Sequence, residues 1–212
     1  SLEEETTIVL SDDLSADFHT RVSVKGDYAV YIRNAFEIKG QRSVQLERLF
    51  SRRFAASSVE SQEFSKLDDL NQPVTFVARL KVPRFVTESS TGLVLRAERD
   101  FFSTCTQLTA LSSLEERKFD LLLGNPRVSA LRTIYRLPPT LGLKSLPPAR
   151  EMTTTFGRFS INYTAPEPQQ IVVERQIEIT SPRVSIDTYE AFREFAAALK
   201  RLEDQQILLT RN

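Results

Sequence analysis

Between Ile171 and Leu202 the spacing of hydrophobic residues changes once. Ile171, Val173, Ile177 and Ile179 alternate with Glu174, Gln176 and Glu178, the period-two pattern of a half-buried strand. Arg175 interrupts the apolar face, so it is expected near a sheet edge or against a carboxylate. After Thr180-Ser181-Pro182 the period lengthens. Tyr189, Phe192, Ala196, Leu199 and Leu202 recur at three and four, one stripe of an α-helix. Asp187 is placed to cap that helix, with Glu190 as its capping-box partner.

The same reading extends along the chain. Thr6–Leu10 predicts a strand, closed by a turn at Ser11-Asp12-Asp13. Phe18, Thr20, Val22 and Val24 share a face, and Lys25-Gly26-Asp27 reads as a hairpin turn into a second strand over Tyr28–Ile38. Gln41–Phe54 switches to a helical period through Leu46, Leu49, Phe50 and Phe54, with Arg52 and Arg53 at the negative end of the helix dipole. Ser57–Leu67 is extended. Val74, Phe76, Ala78, Leu80 and Val82 alternate as a strand, and Leu93–Ala97 follows as a short strand after Ser90-Thr91-Gly92. Arg99–Glu116 gives no clear period. Lys118–Leu123 is apolar and extended, Val128–Leu137 resumes as a strand, and Pro138-Pro139, Gly142 and Pro147-Pro148 stiffen a long connection. Thr153–Tyr163 is a strand containing Gly157, Thr164–Pro168 a turn, and Ile207–Leu209 a last short strand. Roughly nine or ten strands, two short helices (one near the C-terminus) and no βαβ rhythm predict a mainly β fold. The expected form is an antiparallel, jelly-roll-like β-sandwich, one domain spanning 1–212.

Composition narrows the function classes. Hydrophobic residues make up 41% of the 212, enough for a sizeable core. Lys+Arg and Asp+Glu are both 28, a formal net charge of zero, which argues against nucleic acid or an anionic membrane surface as partner. No apolar run approaches the about 20 residues of a membrane span, so no membrane insertion is expected. A single Cys rules out an intrachain disulfide. The chain begins with Ser1 and its one Met is Met152. It therefore reads as a piece of a longer protein, the rest of which would carry any targeting signal.

Candidate chemistry is sparse. Cys105 and His19 are the one Cys and the one His. A cysteine nucleophile needs a histidine base beside it. Neither residue sits in a nucleophile-elbow or helix-start context, so a buried thiol and a strand histidine are the expected outcome. Together they fall short of a zinc site. Asp12-Asp13, Asp68-Asp69 and Glu115-Glu116 lack the alternating spacing of a calcium loop and read as solvated turns. The glycines form no phosphate-binding loop. Phe101-Phe102 with the tyrosines would make a sugar platform if exposed, but the chain has no Trp. Asn162-Tyr163-Thr164 is a glycosylation sequon within a predicted strand. No catalytic, cofactor-binding or metal-binding residue is assigned, and no cofactor is expected.

An ordered set of segments carries a resemblance. "GQRSVQLERLF", "KLDDLNQPVTFVARLKVP", "RKFDLLLGNP", "YRLPPTLGLKSLPP", "TTFGRFSINY" and "DTYEAFREFAAALKRLEDQQILL" together resemble the C-terminal module of unknown function that follows a transglutaminase-like, papain-fold domain in exported bacterial proteins. Pro139 after Pro138 departs from the Gly that this family often has there. The resemblance extends from about Thr6 onward. It implies a non-catalytic accessory domain in a periplasmic or otherwise exported protein, packing on or positioning an upstream catalytic domain. That upstream domain, or another envelope protein, would be its partner. The Cys-His-Asp machinery would lie upstream, and none of it is carried onto residues here. The alternative is a glycan- or envelope-binding sandwich module. The enzyme reading is a cysteine-dependent hydrolase using Cys105 and His19.

Overall fold

The computed structural model describes residues 1–90 and 92–212. Thr91, in the turn expected at Ser90-Thr91-Gly92, lies outside the described residues. The backbone is mainly β, as the alternation predicts. In chain order the elements are β1 (Leu2–Leu10), β2 (Ala16–Val24), α1 (Asp27–Ala35), α2 (Arg42–Ser51), β3 (Ser58–Phe64), β4 (Val74–Val82), β5 (Thr87–Ser89), β6 (Gly92–Arg96), α3 (Thr104–Leu111), β7 (Leu121–Leu122), β8 (Arg127–Arg136), β9 (Leu141–Ser145), β10 (Arg150–Thr153), β11 (Gly157–Glu167), β12 (Gln170–Ile179), β13 (Arg183–Val184), α4 (Tyr189–Glu203) and β14 (Gln206–Arg211).

Eight strands form one sheet, ordered β10-β11-β12-β8-β1-β2-β4-β3. Its pairings are antiparallel except that of β1 with β8, which is parallel. A second sheet runs β5-β6-β14-β9, and β13 pairs with β7. One face of the large sheet presents Ile8, Phe18, Leu80, Tyr135, Phe159 and Ile171, all buried. The helices and the smaller sheet contribute to the same continuous core, a sandwich-like arrangement. The other face of the large sheet is largely open to solvent, because the alternation along each strand places its charged residues there.

Several expectations are corrected. Tyr28–Ile38 is not the second arm of a hairpin: most of it is α1. Ala29, Ile32 and Phe36 are buried at three-and-four spacing, while Val30 is 57% exposed. That helical stripe outcompetes the weaker alternation of Tyr28, Val30 and Ile32. The first hairpin is β1–β2, closed at Ser11–Ser15, where the Asp13 carboxylate accepts hydrogen bonds from the Ser15 amide and hydroxyl. Among the described residues there are four α-helices rather than two, since α1 replaces the expected second strand and α3 fills part of the unreadable stretch 99–116. The proline-rich connection holds β9 and the approach to β10. β11 continues through the predicted turn to Glu167, so the chain reverses at Pro168 and Gln169. Of Lys118–Leu123 only Leu121–Leu122 is strand.

The handover from β12 to α4 follows the predicted pattern, with Tyr189, Phe192, Phe195, Ala196 and Leu199 buried. Asp187 does not cap the helix. A 3-10 turn over Ile186–Thr188 winds directly into it, which makes Thr188 the cap position, and no side chain caps the end.

Candidate functional site

The interior of the sheet carries charge where a sandwich core is normally apolar. One inward row runs across it: Ile161 on β11, Arg175 on β12, Leu131 on β8, Glu4 on β1, Val22 on β2 and Phe76 on β4. Arg175 is the predicted interruption of the β12 face. It lies in the middle of the sheet rather than at an edge, and it reaches two carboxylates. Its Nη1 pairs with Glu203 in the last turn of α4, and its Nη2 lies 3.4 Å from Asp100 Oδ2. Glu203 also meets Arg99 Nε at 3.5 Å. Asp100 is fully buried and accepts the amides of Phe102 and Thr104, thereby satisfying free donors at the start of α3.

Glu4 lies beside this cluster. Its carboxylate accepts the Phe101 amide at 2.7 Å, with the hydroxyls of Thr6 and Thr20 at 3.4 and 3.5 Å. Burial pushes its carboxyl up to about 7, against the pull of Arg53, with Asp100 and Glu98 adding repulsion. Burial also raises Glu98, although Arg53 holds it at 2.5 Å. Four carboxylates (Glu4, Glu98, Asp100 and Glu203) thus share a region with the guanidiniums of Arg53, Arg99 and Arg175. The group is locked in the interior by mutual hydrogen bonds, so its geometry suits structural specification better than substrate handling.

Cys105 and His19 are not brought together. Contrary to the sequence reading, Cys105 does stand at a helix start, in the first turn of α3, but it is buried on the inner side, and burial pushes its thiol well above the ordinary range, with Glu203 adding to the effect. His19 projects from β2 on the outer, solvent face of the large sheet. The aromatic platform is not free either. Phe101 and Phe102 pack against the core, Phe101 on Phe50 and Phe76, and Phe102 on Tyr28 and Tyr31. Tyr135, Tyr163 and Tyr189 are buried, and Tyr31 alone among the tyrosines is as much as half exposed. Two of the acidic doublets serve turns, Asp13 through Ser15 and Asp69 through the Asn71 amide, while Asp12 accepts the Thr140 hydroxyl in a contact distant in sequence.

Behind the ionic cluster, on the outer face of the same strands, lies a groove of about 730 Å³. Two cross-strand rows form it. One is Arg21, Glu5, Arg132, Glu174 and Asn162; the other is Ser23, Glu3, Ala130, Gln176 and Ser160. Arg150 and Glu151 at the β10 edge make one wall. A third feature is an apolar edge, where Phe119 is 81% exposed, Leu122 73% and Ile186 48%. Pairing of Leu122 with Arg183, and the hydrogen bond from the Ile186 amide to Asp120, bring the two segments that carry these side chains together.

Residues 100–209 match a family described as a domain of unknown function with solved-structure structure (DUF3858), just over half of the 212. The chain belongs to this family. Searches of curated proteins and of solved structures found no match. The DUF3858 match starts at 100 rather than near Thr6, so the segments "GQRSVQLERLF" and "KLDDLNQPVTFVARLKVP" fall outside it. It contains Asp100, Arg175 and Glu203 but not Glu4, Arg53, Glu98 or Arg99. It takes in β8, β10, β11 and β12, while β1, β2, β3 and β4 complete the sheet from outside it. The apolar edge lies wholly within the DUF3858 segment.

The sequence held a signal for part of this. Glu4 continues the inward parity of Thr6, Ile8 and Leu10, and Glu203 stands four residues after Leu199, on the helix stripe. The groove had none, because β1 meets β8 only through a pairing across more than half the chain.

Proposed function

We propose that this chain is a non-catalytic accessory domain of a transglutaminase-like, exported bacterial protein, and that it packs on or positions an upstream catalytic domain. The separation of its one thiol from its one imidazole carries the reading. A cysteine nucleophile works as a thiolate within hydrogen-bond reach of its base. Here the thiol is buried beside the Glu203 carboxylate on one side of the sheet, and the imidazole faces solvent on the other. The apolar edge of Phe119, Leu122 and Ile186 supports a contact role, since large exposed side chains grouped together favour a protein partner.

The test is association in trans with the transglutaminase-like domain of the parent protein, measured by calorimetry. The Phe119→Asp/Leu122→Asp variant is expected to lose binding while keeping its unfolding midpoint. Binding that survives those substitutions removes this edge from the interface. Hydrolysis or cross-linking of peptide amides by the isolated chain, abolished in Cys105→Ala, overturns the reading itself.

A further inference from the structure

The groove on the outer sheet face is lined by acidic, basic and amide side chains. Its floor is central sheet, paired on both sides, so the side chains that rise from it are held in fixed positions. Ala130 supplies the low point. Around it the donors and acceptors alternate: Arg21 beside Glu5, Glu5 beside Arg132, Arg132 beside Glu174. Arg132 and Glu174 are loosely paired at 3.4 Å. Among the described residues, the side chains of Arg21, Glu3, Glu5, Asn162 and Gln176 have no hydrogen-bond or ion-pair partner.

We propose that this groove binds a polyhydroxylated ligand, an uncharged saccharide chain, through vicinal hydroxyls laid across the alternating carboxylates and guanidiniums. A hydroxyl both donates and accepts, so a vicinal pair satisfies a carboxylate oxygen and a guanidinium N–H side by side. Other ligand classes fit less well. A phosphate attracted by Arg132 meets Glu5 and Glu174 on either flank, and a cation drawn to those carboxylates meets the guanidinium between them. An apolar peptide or a lipid finds no exposed apolar wall, since Leu131 and Ile161 in the lining are buried beneath the sheet and only the small Ala130 and Ala149 are left among polar side chains. Neighbouring strands lie about 4.8 Å apart, comparable to the length of one pyranose ring. Successive sugars laid across the strands would therefore meet successive side chains. The volume is within the range of small-ligand sites, about 300–1,000 Å³. With no aromatic ring among the lining residues, recognition rests on hydrogen bonds, and millimolar affinity is the expected scale.

This site is separate from the apolar edge and does not depend on the accessory role. It is tested by titrating the isotope-labelled full chain with maltotriose and with chitotriose, following backbone amide shifts. Inorganic phosphate and trilysine are the charged comparisons. The expected result is saturable shifts at Ser23, Ala130, Ser160 and Gln176 with at least one saccharide. Affinity should fall about tenfold in Glu5→Ala/Arg132→Ala, the loss expected for one or two charge-assisted hydrogen bonds. That variant should keep its unfolding midpoint, because both side chains are exposed. Phe119→Asp/Leu122→Asp should bind saccharide normally. The proposal is overturned if neither saccharide shifts these amides, if the shifts persist in Glu5→Ala/Arg132→Ala, or if only phosphate or trilysine produces them. Concentration-dependent shifts without ligand, the mark of self-association through this face, overturn it as well.

Discussion

Arg175 on β12 and Glu203 in the last turn of α4 form an ion pair with side chains only 3% and 2% exposed. It ties the centre of the large sheet to the C-terminal end of the helix that covers it. Such a pair gives little net stability over a well-packed apolar one, because both charges lose their hydration. Breaking it is another matter. Arg175→Met would leave Glu203 and Asp100 buried without their shared cation, and is expected to cost about 3–5 kcal/mol. Urea denaturation measures this directly; a midpoint equal to wild type would show that the carboxylates find other partners or take up protons at no cost.

Burial of carboxyl groups in this cluster gives the fold a pH dependence. The ordinary carboxyl value of Glu4 is 4.5, and in the fold it is raised to about 7 by burial. Between those values the folded state holds a proton that the unfolded chain has released. Stability from this group is therefore complete below about pH 4.5 and is lost as pH rises through about 7. Glu98 shifts in the same direction. The part due to Glu4 should amount to about 1–3 kcal/mol. Unfolding free energies compared at about pH 5 and about pH 8 should decline toward alkaline pH, and Glu4→Gln should flatten that decline. An unchanged slope in the variant would assign the proton elsewhere.

Phe192 is fully buried at the centre of the α4 stripe, edge-on to Phe156 with ring centroids 5.5 Å apart. Truncation to alanine removes the ring and leaves a cavity between helix and sheet, at an expected cost of about 3–5 kcal/mol. A wild-type urea midpoint would mean that α4 does not depend on this contact.

The same stripe marks how far the sequence could be read. Local patterns were legible where burial follows a simple period, as in Val74–Val82, where the predicted and observed bounds agree, and in the β12–α4 handover. Tyr28–Ile38 failed because two periods overlapped there, and only tertiary burial of Ala29, Ile32 and Phe36 decided between them. Arg175 announced its need for a carboxylate, but not which one. Asp100 and Glu203 stand 75 and 28 residues away in sequence, and no periodicity reports a contact of that kind. The groove was invisible for the same reason. Its charged rows arise only once β1 is inserted between β2 and β8.

That insertion leads to a last prediction, about how much of the chain makes a folded unit. The DUF3858 match takes the half-sheet β10-β11-β12-β8 and stops where β8 meets β1. A fragment of residues 100–212 would expose the edge of β8, a long strand whose partner is gone, and unpaired edges of that kind invite aggregation. It would also uncover apolar side chains now covered from outside the match, and Asp100 and Arg175 would lose the neighbouring Glu4, Glu98 and Arg99. The fragment is expected to lack a cooperative thermal transition and amide dispersion, and to recover both when residues 1–99 are supplied in trans. A fragment that unfolds cooperatively alone, with β8 amides protected from exchange, would show that the family segment is self-sufficient and that the first 99 residues are an addition to its sheet rather than part of its folding unit.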